Sequence, residues 1–345
     1  PDNGWELDSW TLDGSSVNGT NPTYTLSGVT AATTVTVKFK KKVYTVTFNV
    51  VGGTGCSLTA NYGSHPYPST TTSSSVQVTH GDSVTFTASP ATGWEVDSWT
   101  GVTTTPPNNT TATLSGVTAA TTVTVTFKKT YTVTFKVDGG HGSLKGEYNG
   151  SETTAAGGGQ QTFTVLDGGS VTFTAQPSAR YAVRSWTVSP GNFTSGGTGS
   201  ATMATLSNIT ENKTVTVTFF ENTIEGGSEG WKKLKKAVQE APAGGTIIID
   251  GTISATDAPD NNGEIVIDKN LTVKKADSAA SAVLDANKNA GGKTEHRIFK
   301  VTSGKTLTLQ NLTLKGGKPD ASNENGNGGG ILLRGGTLDM KNCDV

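Results

Sequence analysis

Thr121-Thr122-Val123-Thr124-Val125-Thr126-Phe127 sets small polar against apolar residues with a period of two, so its valines and phenylalanine share one face and its threonines the other. That is the pattern of a half-buried strand. The stretch recurs as Thr33-Thr34-Val35-Thr36-Val37-Lys38-Phe39 and as Lys213-Thr214-Val215-Thr216-Val217-Thr218-Phe219. Each copy trails an aromatic signature: Gly4-Trp5-Glu6-Leu7-Asp8-Ser9-Trp10, Gly93-Trp94-Glu95-Val96-Asp97-Ser98-Trp99 and Arg180-Tyr181-Ala182-Val183-Arg184-Ser185-Trp186. Another strand, Ser83-Val84-Thr85-Phe86-Thr87-Ala88, returns as Ser170-Val171-Thr172-Phe173-Thr174-Ala175. The offsets are steady: 89 from Trp10 to Trp99, 87 from Trp99 to Trp186 and 87 from Tyr44 to Tyr131. The chain therefore opens with a tandem array of units of about 90 residues.

Clusters such as Pro106-Pro107-Asn108-Asn109 and Ser195-Gly196-Gly197 punctuate the strands. Each unit is expected to be a small antiparallel all-β domain, with no helix even in the polar stretch between Asn61 and Thr72. Trp10, Trp99 and Trp186 are expected to form the cores of domains too small to have others. The expected boundaries are 1–40 for the C-terminal part of a truncated repeat, 41–129 and 130–220 for two full repeats, and 221–345 for a C-terminal region of different composition.

The order of elements, Tyr-Thr-Val-Thr-Phe then Gly-Gly, Gly-Asp-Ser-Val-Thr-Phe-Thr-Ala, Gly-Trp-x-Val-x-Ser-Trp and a closing Thr-Val-Thr-Val-Thr-Phe, resembles the divergent internalin-B-type B-repeat over most of residues 1–220. Arg180 departs from it by standing where the signature has glycine. The resemblance implies a stalk or spacer on an extracellular bacterial protein and brings no catalytic residues.

Composition shifts after Phe220. Trp231, Leu234, Ala237 and Val238 form the apolar stripe of an amphipathic helix whose polar face carries Lys232, Lys233, Lys235 and Lys236, and Gly244-Gly245 is expected to end it. Short β segments come next, among them Ile247-Ile248-Ile249, Ile265-Val266-Ile267, Leu271-Thr272-Val273, Ala282-Val283-Leu284 and Ile331-Leu332-Leu333, too short for a sandwich but suited to stacked coils. Gly304–Leu314 superposes on Gly335–Val345 at an offset of 31, which puts Cys343 at the inward position of Leu312 and Asn311 and Asn342 at matching turns, where their amides are placed to stack.

The capping helix, Gly-Gly-Thr-Ile-x-Ile-x-Gly-Thr-Ile from Gly244, Lys269-Asn270-Leu271-Thr272-Val273 and Ala282-Val283-Leu284-Asp285-Ala286 together resemble the start of a right-handed parallel β-helix of the pectin-lyase-like superfamily. The turn Gly328-Gly329-Gly330-Ile331 resembles repeats of polymorphic outer-membrane autotransporter passengers. The expected fold is thus all-β: tandem small antiparallel β-domains, a short amphipathic capping helix and a partial right-handed parallel β-helix.

With Lys+Arg 27 against Asp+Glu 28, the chain has no long-range field to gather nucleic acid or an anionic membrane. Cys56 and Cys343 stand too far apart in the chain to read as a disulfide framework or a metal motif. No run of 18 apolar residues occurs, and because the chain starts inside a repeat, export signals and anchors are expected beyond its ends.

β-Helix enzymes that act on acidic polysaccharides need clustered carboxylates for calcium with a positioned base, or paired aspartates. Here Asp250, Asp268, Asp285, Asp339 and Asp344 fall one to a coil, Arg297 and Arg334 are each expected to be solitary, and His65, His80, His141 and His296 lack triad or metal spacing and read as surface residues. No catalytic, cofactor-binding or metal-ligating residue is assigned, and no cofactor. The leading expectation is a secreted or surface bacterial scaffold or adhesin-like virulence factor whose partner is an extracellular host protein or glycan, without nucleic-acid binding or membrane insertion in this region. Two other classes stay open: a polysaccharide lyase or glycoside hydrolase with its active site in coils beyond residue 345, and a carbohydrate-binding module using Tyr62, Tyr67 and Tyr148.

Overall fold

The computed structural model describes residues 1–104, 110–258, 260–287, 296–318 and 329–345; the Pro106-Pro107-Asn108-Asn109 cluster and Gly328 lie outside them. Contacts divide the chain into two units, Pro1–Tyr131 and Thr132–Val345. Almost all regular structure is β, with one described helix.

The first unit begins with a three-stranded sheet in which Trp5–Leu12 pairs with Ser15–Val17 and with Val35–Lys41, all antiparallel. After it comes a full repeat, built as two sheets around a common core. One holds Val43–Val51, Ser73–Thr79, Trp94–Thr100 and the first part of Thr121–Val137. The other holds Ser57–Tyr62, Val84–Ser89, Thr111–Leu114 and the short His65–Pro66. Val46, Phe48, Leu58, Val84, Phe86, Val123, Val125 and Phe127 are buried between them, with Phe48 and Phe86 5.8 Å apart at their ring centres. Residues 61–70 are strand, turn and extended chain, not helix.

One expectation fails here. The repeats are not purely antiparallel, because Val43–Val51 runs parallel to the closing strand, with Val46 opposite Thr121 and Val51 opposite Thr126. Between these two strands the chain passes into the second sheet and returns, a crossover that brings it back in the same direction. The second unit repeats the exception: Val133–Val137 runs parallel to Lys213–Val217.

The aromatic signature owes its spacing to a β-bulge. In all three copies the register slips by one residue, leaving Asp8, Asp97 and Arg184 without a cross-strand partner. A strict alternation would send Val183 and Trp186 to opposite faces, three positions apart; the extra residue turns both inward, and both are buried. The bulged residue points outward and pairs with a charge: Asp8 with Lys40 at 3.7 Å, Asp97 with Lys128 at 3.3 Å and Arg184 with Glu240 at 3.5 Å.

In the second unit Tyr181–Ser189 pairs with Lys213–Glu221, facing a sheet of Gly142–Tyr148, Ser151–Ala156, Gly169–Pro177 and Met203–Ile209. Among the described residues, the remainder pairs only in parallel. Thr223–Glu225, Gly245–Ser254, Leu271–Lys275, Thr306–Gln310 and Thr337–Lys341 form one ladder. Ile265–Ile267, Phe299–Val301 and Ile331–Leu333 form a second, and Gly245–Ser254, Ala282–Asp285 and Thr313–Lys315 a third. Leu307 lies opposite Leu338 and Thr313 opposite Asp344, the register of the 31-residue repeat. Asn311 and Asn342 both adopt left-handed conformations at φ 57° and 49°, and Asn342 Nδ2 donates to Asn311 Oδ1 at 3.3 Å, so the two amides stack as the repeat predicts.

The helix Gly230–Glu240 buries Trp231, Leu234, Ala237 and Val238 against the inward residues of these ladders. It stops earlier than Gly244. Pro242 forces Ala241 out of the helical region, to ψ 135°, which ends the helix at Glu240.

Candidate functional site

The second aromatics of the three signatures, Trp10, Trp99 and Trp186, do not form an exposed stacking surface, although Trp5 of the first signature is 40% exposed. Trp186 is 8% exposed, donates its indole N–H to the Ala201 carbonyl at 2.7 Å and meets Phe193 edge-on at 5.8 Å. Trp10 makes the equivalent bond to the Asn21 carbonyl at 3.0 Å. Only Trp186 is fully buried; Trp10 and Trp99 are half-buried. The deep core of each sandwich belongs instead to Val and Phe of the alternating strands, whose side chains face the second sheet directly.

The tyrosines are likewise occupied. Tyr62 donates its hydroxyl to Asp82 Oδ2 at 2.8 Å and accepts from the Thr79 N–H at 3.1 Å, tying the end of Ser57–Tyr62 to the end of Ser73–Thr79 and the turn after it. Tyr67 packs against the core, and the Tyr148 hydroxyl accepts from the Leu166 N–H at 3.0 Å beside Phe163. A cleft of about 460 Å³ lies around Trp186, Asn192 and Phe193, lined by Gly191, Gly196 and Gly197. Its indole N–H is already bonded to the Ala201 carbonyl.

A group of charged side chains gathers near the helix. Arg297 is not solitary as expected: it is 5% exposed and pairs with Glu264 at 3.3 Å, and Lys300 approaches the same carboxylate at 3.8 Å. His296 is also misread as a surface residue. It packs 5.4 Å from Trp231, and its Nδ1–H donates to the Arg297 carbonyl at 2.7 Å. Burial, the dominant influence, pushes the imidazole below the ordinary histidine range, opposed by that carbonyl. Lys235 donates to the Asn262 carbonyl at 3.0 Å, while Lys269 donates to the carbonyls of Gln239 and Ala241 at 2.8 and 3.2 Å, satisfying the helix C-terminus. An open groove of about 340 Å³ runs past Lys235, Glu264 and Lys269.

Asn261, 1% exposed, does for the helix N-terminus what Lys269 does for the other end. Its Oδ1 accepts from the Lys232 N–H at 2.9 Å, and its amide donates to the Ser228 carbonyl and the Thr256 hydroxyl at 2.9 and 2.7 Å. The residue preceding the helix, Glu229, makes no side-chain cap. Neither Asn261 nor Glu264 is marked by any sequence pattern, because their partners lie 29 and 33 residues away. Most polar groups of this cluster bond backbone or one another, which is the chemistry of a fastening.

The aspartates of the ladders do not converge. Asp285 accepts from the Asn287 N–H at 2.8 Å, Asp339 pairs with Lys341 at 3.6 Å and Asp268 lies 4.0 Å from Lys269. Among the described residues no three His, Cys, Asp or Glu side chains are placed to hold a metal ion. His80 packs on Tyr44 at 5.9 Å and His141 on Tyr181 at 4.0 Å; of the His65 side chain nothing is described. Both cysteines are free: Cys56 is buried, and Cys343 packs half-buried against the ladder core. No helix among the described residues is long and apolar enough to cross a membrane.

A family model described as the divergent InlB B-repeat domain matches residues 1–43 and 58–131. No protein of curated function matches the chain. Among solved structures, a bacterial adhesin from Mobiluncus mulieris with intramolecular disulfide, isopeptide and ester cross-links is 13% identical at a TM-score of 0.23, over 44% of this chain and 66% of its own. The Bacillus anthracis TIE protein is 9% identical at 0.21, over 56% and 39%. The pilus adhesin SpaC of Lactobacillus rhamnosus GG, in its open conformation, is 11% identical at 0.23, over 54% and 32%. These scores lie below those of chains that share a fold, and this chain spans less than two thirds of each of the three.

Proposed function

We propose that this chain is the scaffold portion of a secreted or surface-attached bacterial multidomain protein of adhesin type. Residues 1–40 are the C-terminal part of a repeat, 41–129 and 130–220 are complete repeats acting as spacers, and 221–345 is the cap and opening coils of a right-handed parallel β-helix that serves as a binding or passenger domain. The ligand class is extracellular, a host protein or a glycan.

The observation that carries this reading is the reuse of one construction. The signature aromatics, the bulge and the Val-Thr strands are spent on holding each repeat together, and most of the polar cluster near the helix is spent on fastening it to the ladders. The family match to residues 1–43 and 58–131 supports the repeat assignment and, through the habitual setting of such repeats, the extracellular location. The short strands pairing only in parallel, with stacked Asn311 and Asn342, support a solenoid for the last part.

The test is protease shaving of intact bacterial cells producing the whole protein, with antibodies raised against 41–129. Loss of the epitope from undamaged cells, or its presence in the medium, is the expected result. Recovery of all of the protein in the cytosolic fraction overturns the location. Release of unsaturated oligosaccharides from pectin by the purified protein overturns the non-enzymatic reading.

A further inference from the structure

Residues 23–39 and 111–127 differ only at Tyr24 against Ala112 and Lys38 against Thr126. Their surroundings are opposite. Val117, Val123, Val125 and Phe127 are 2%, 0%, 0% and 2% exposed, whereas Val29, Val35, Val37 and Phe39 are 59%, 41%, 36% and 46% exposed. Thr111–Leu114 pairs with Val84–Ser89, whereas residues 23–26 belong to no strand. Thr121–Val137 is bonded on one side to Trp94–Thr100 and on the other to Val43–Val51, whereas Val35–Lys41 is bonded to Trp5–Leu12 alone and forms the edge of its sheet. An open apolar face, an unpaired segment and a free edge coincide on one small sheet. They are what is left of the sandwich when the strands equivalent to 43–51 and 84–89 are taken away.

We infer that this surface is the seat of a half-repeat of the kind formed by residues 43–89, joined in the same polypeptide directly ahead of the first aromatic signature. The inference rests on reading 1–40 as a member of the repeat array. In the complete unit the half-repeat runs straight into Gly93-Trp94, the counterpart of Gly4-Trp5, so an occupant arriving at Gly4 needs no rerouting. Its first strand lies parallel to Val35–Lys41 as Val43–Val51 lies along Thr121–Thr126. Its Val-x-Phe-x-Ala strand pairs with residues 23–26 as Val84–Ser89 does with Thr111–Leu114. Counterparts of Phe48 and Phe86, which share a core with Val123, Val125 and Phe127, then cover Val35, Val37 and Phe39. A second copy docking face to face covers the valines but leaves 23–26 without a strand partner, and so accounts for only part of the surface.

The experiment replaces Pro1–Asn3 of the full chain with a copy of residues 42–92 and reads amide hydrogen exchange. Residues 23–26 and 35–39 are expected to gain at least about tenfold in protection, toward that of 111–114 and 123–127 in the same molecule. The same extension carrying Asp at the copied positions of Phe48 and Phe86 is expected to give no gain. Val37→Asp is expected to change nothing in the chain without the extension and to abolish the gain in the chain with it. Failure of 35–39 to gain protection while 123–127 remains protected overturns the inference and leaves the repeat assignment standing. Poor protection of 123–127 in the unmodified chain instead overturns the repeat assignment itself. Concentration-dependent protection of 35–39 in the unmodified chain, with a dimer mass by light scattering, overturns the inference in favour of a second copy.

Discussion

Trp99 and Trp186 occupy the same place in successive signatures and are held to different depths, the first half-buried and the second with its indole N–H bonded to Ala201. Removing a buried indole costs about 3–5 kcal/mol, against a total of about 5–15 kcal/mol for a domain. Trp186→Ala is therefore expected to remove much of the stability of its sandwich, and Trp99→Ala clearly less, both read by urea unfolding; equal losses contradict the difference in packing. His296 sets a pH dependence of opposite sense to an ion-paired histidine. Its folded form favours the neutral ring because burial penalises the charge, so the unfolded chain binds the proton more readily. The contribution is complete above the usual histidine value of about 6.5 and is lost as pH falls through the lower folded value. Thermal unfolding followed from pH 7.5 to 5 is expected to show a falling midpoint for the ladder region. His296→Gln is expected to flatten that slope, and an unchanged slope in the variant removes His296 as its cause.

At the scale of elements, the helix Gly230–Glu240 is capped by side chains far from it in sequence. Asn261→Ala removes an acceptor from the Lys232 N–H and two donors from the Ser228 and Thr256 oxygens. A lost cap costs about 0.5–2 kcal/mol, and the buried setting places this one at the upper end, visible as faster hydrogen exchange across 230–240. Exchange unchanged in the variant means that the helix is held by its apolar face alone. Arg180 makes a second case. It occupies a left-handed position, φ 72°, where the other copies use Gly4 and Gly93, and its side chain pairs with Glu221 at 3.1 Å and Glu225 at 2.9 Å. Arg180→Gly relieves the backbone but removes both pairs, each worth about 0.2–1 kcal/mol when exposed, so little net change in midpoint is expected; Arg180→Ala keeps the backbone cost and loses the pairs, and is expected to be the less stable. Such examples show which parts of the fold are readable in advance. Val123-Thr124-Val125 declares a strand and its inner face because alternation is local, and Asn311 with Asn342 declares a stacked turn because the 31-residue offset is local to two coils. The parallel pairing of Val43–Val51 with the closing strand, the bulges at Asp97 and Arg184, and the Asn261 and Glu264 partners of the helix region are decided by chain crossings over 29 residues or more, which no window of sequence displays.

For the molecule as a whole, the division into Pro1–Tyr131 and Thr132–Val345 carries a thermodynamic consequence. Phe86 and Phe299 are both fully buried, but in separate cores, the first with Phe48 and Val125 and the second with Ile265, Ile267 and Val301. Cavities opened in separate cores act independently when no side chain contacts both. Phe86→Ala, at about 3–5 kcal/mol, is expected to lower the calorimetric transition of the first unit by roughly 10 °C or more while leaving that of the second in place, and Phe299→Ala is expected to do the reverse. The double variant then shows the two shifts together, each of the size seen alone. A single transition that moves as one with either substitution overturns the two-unit division and makes the array a single cooperative body.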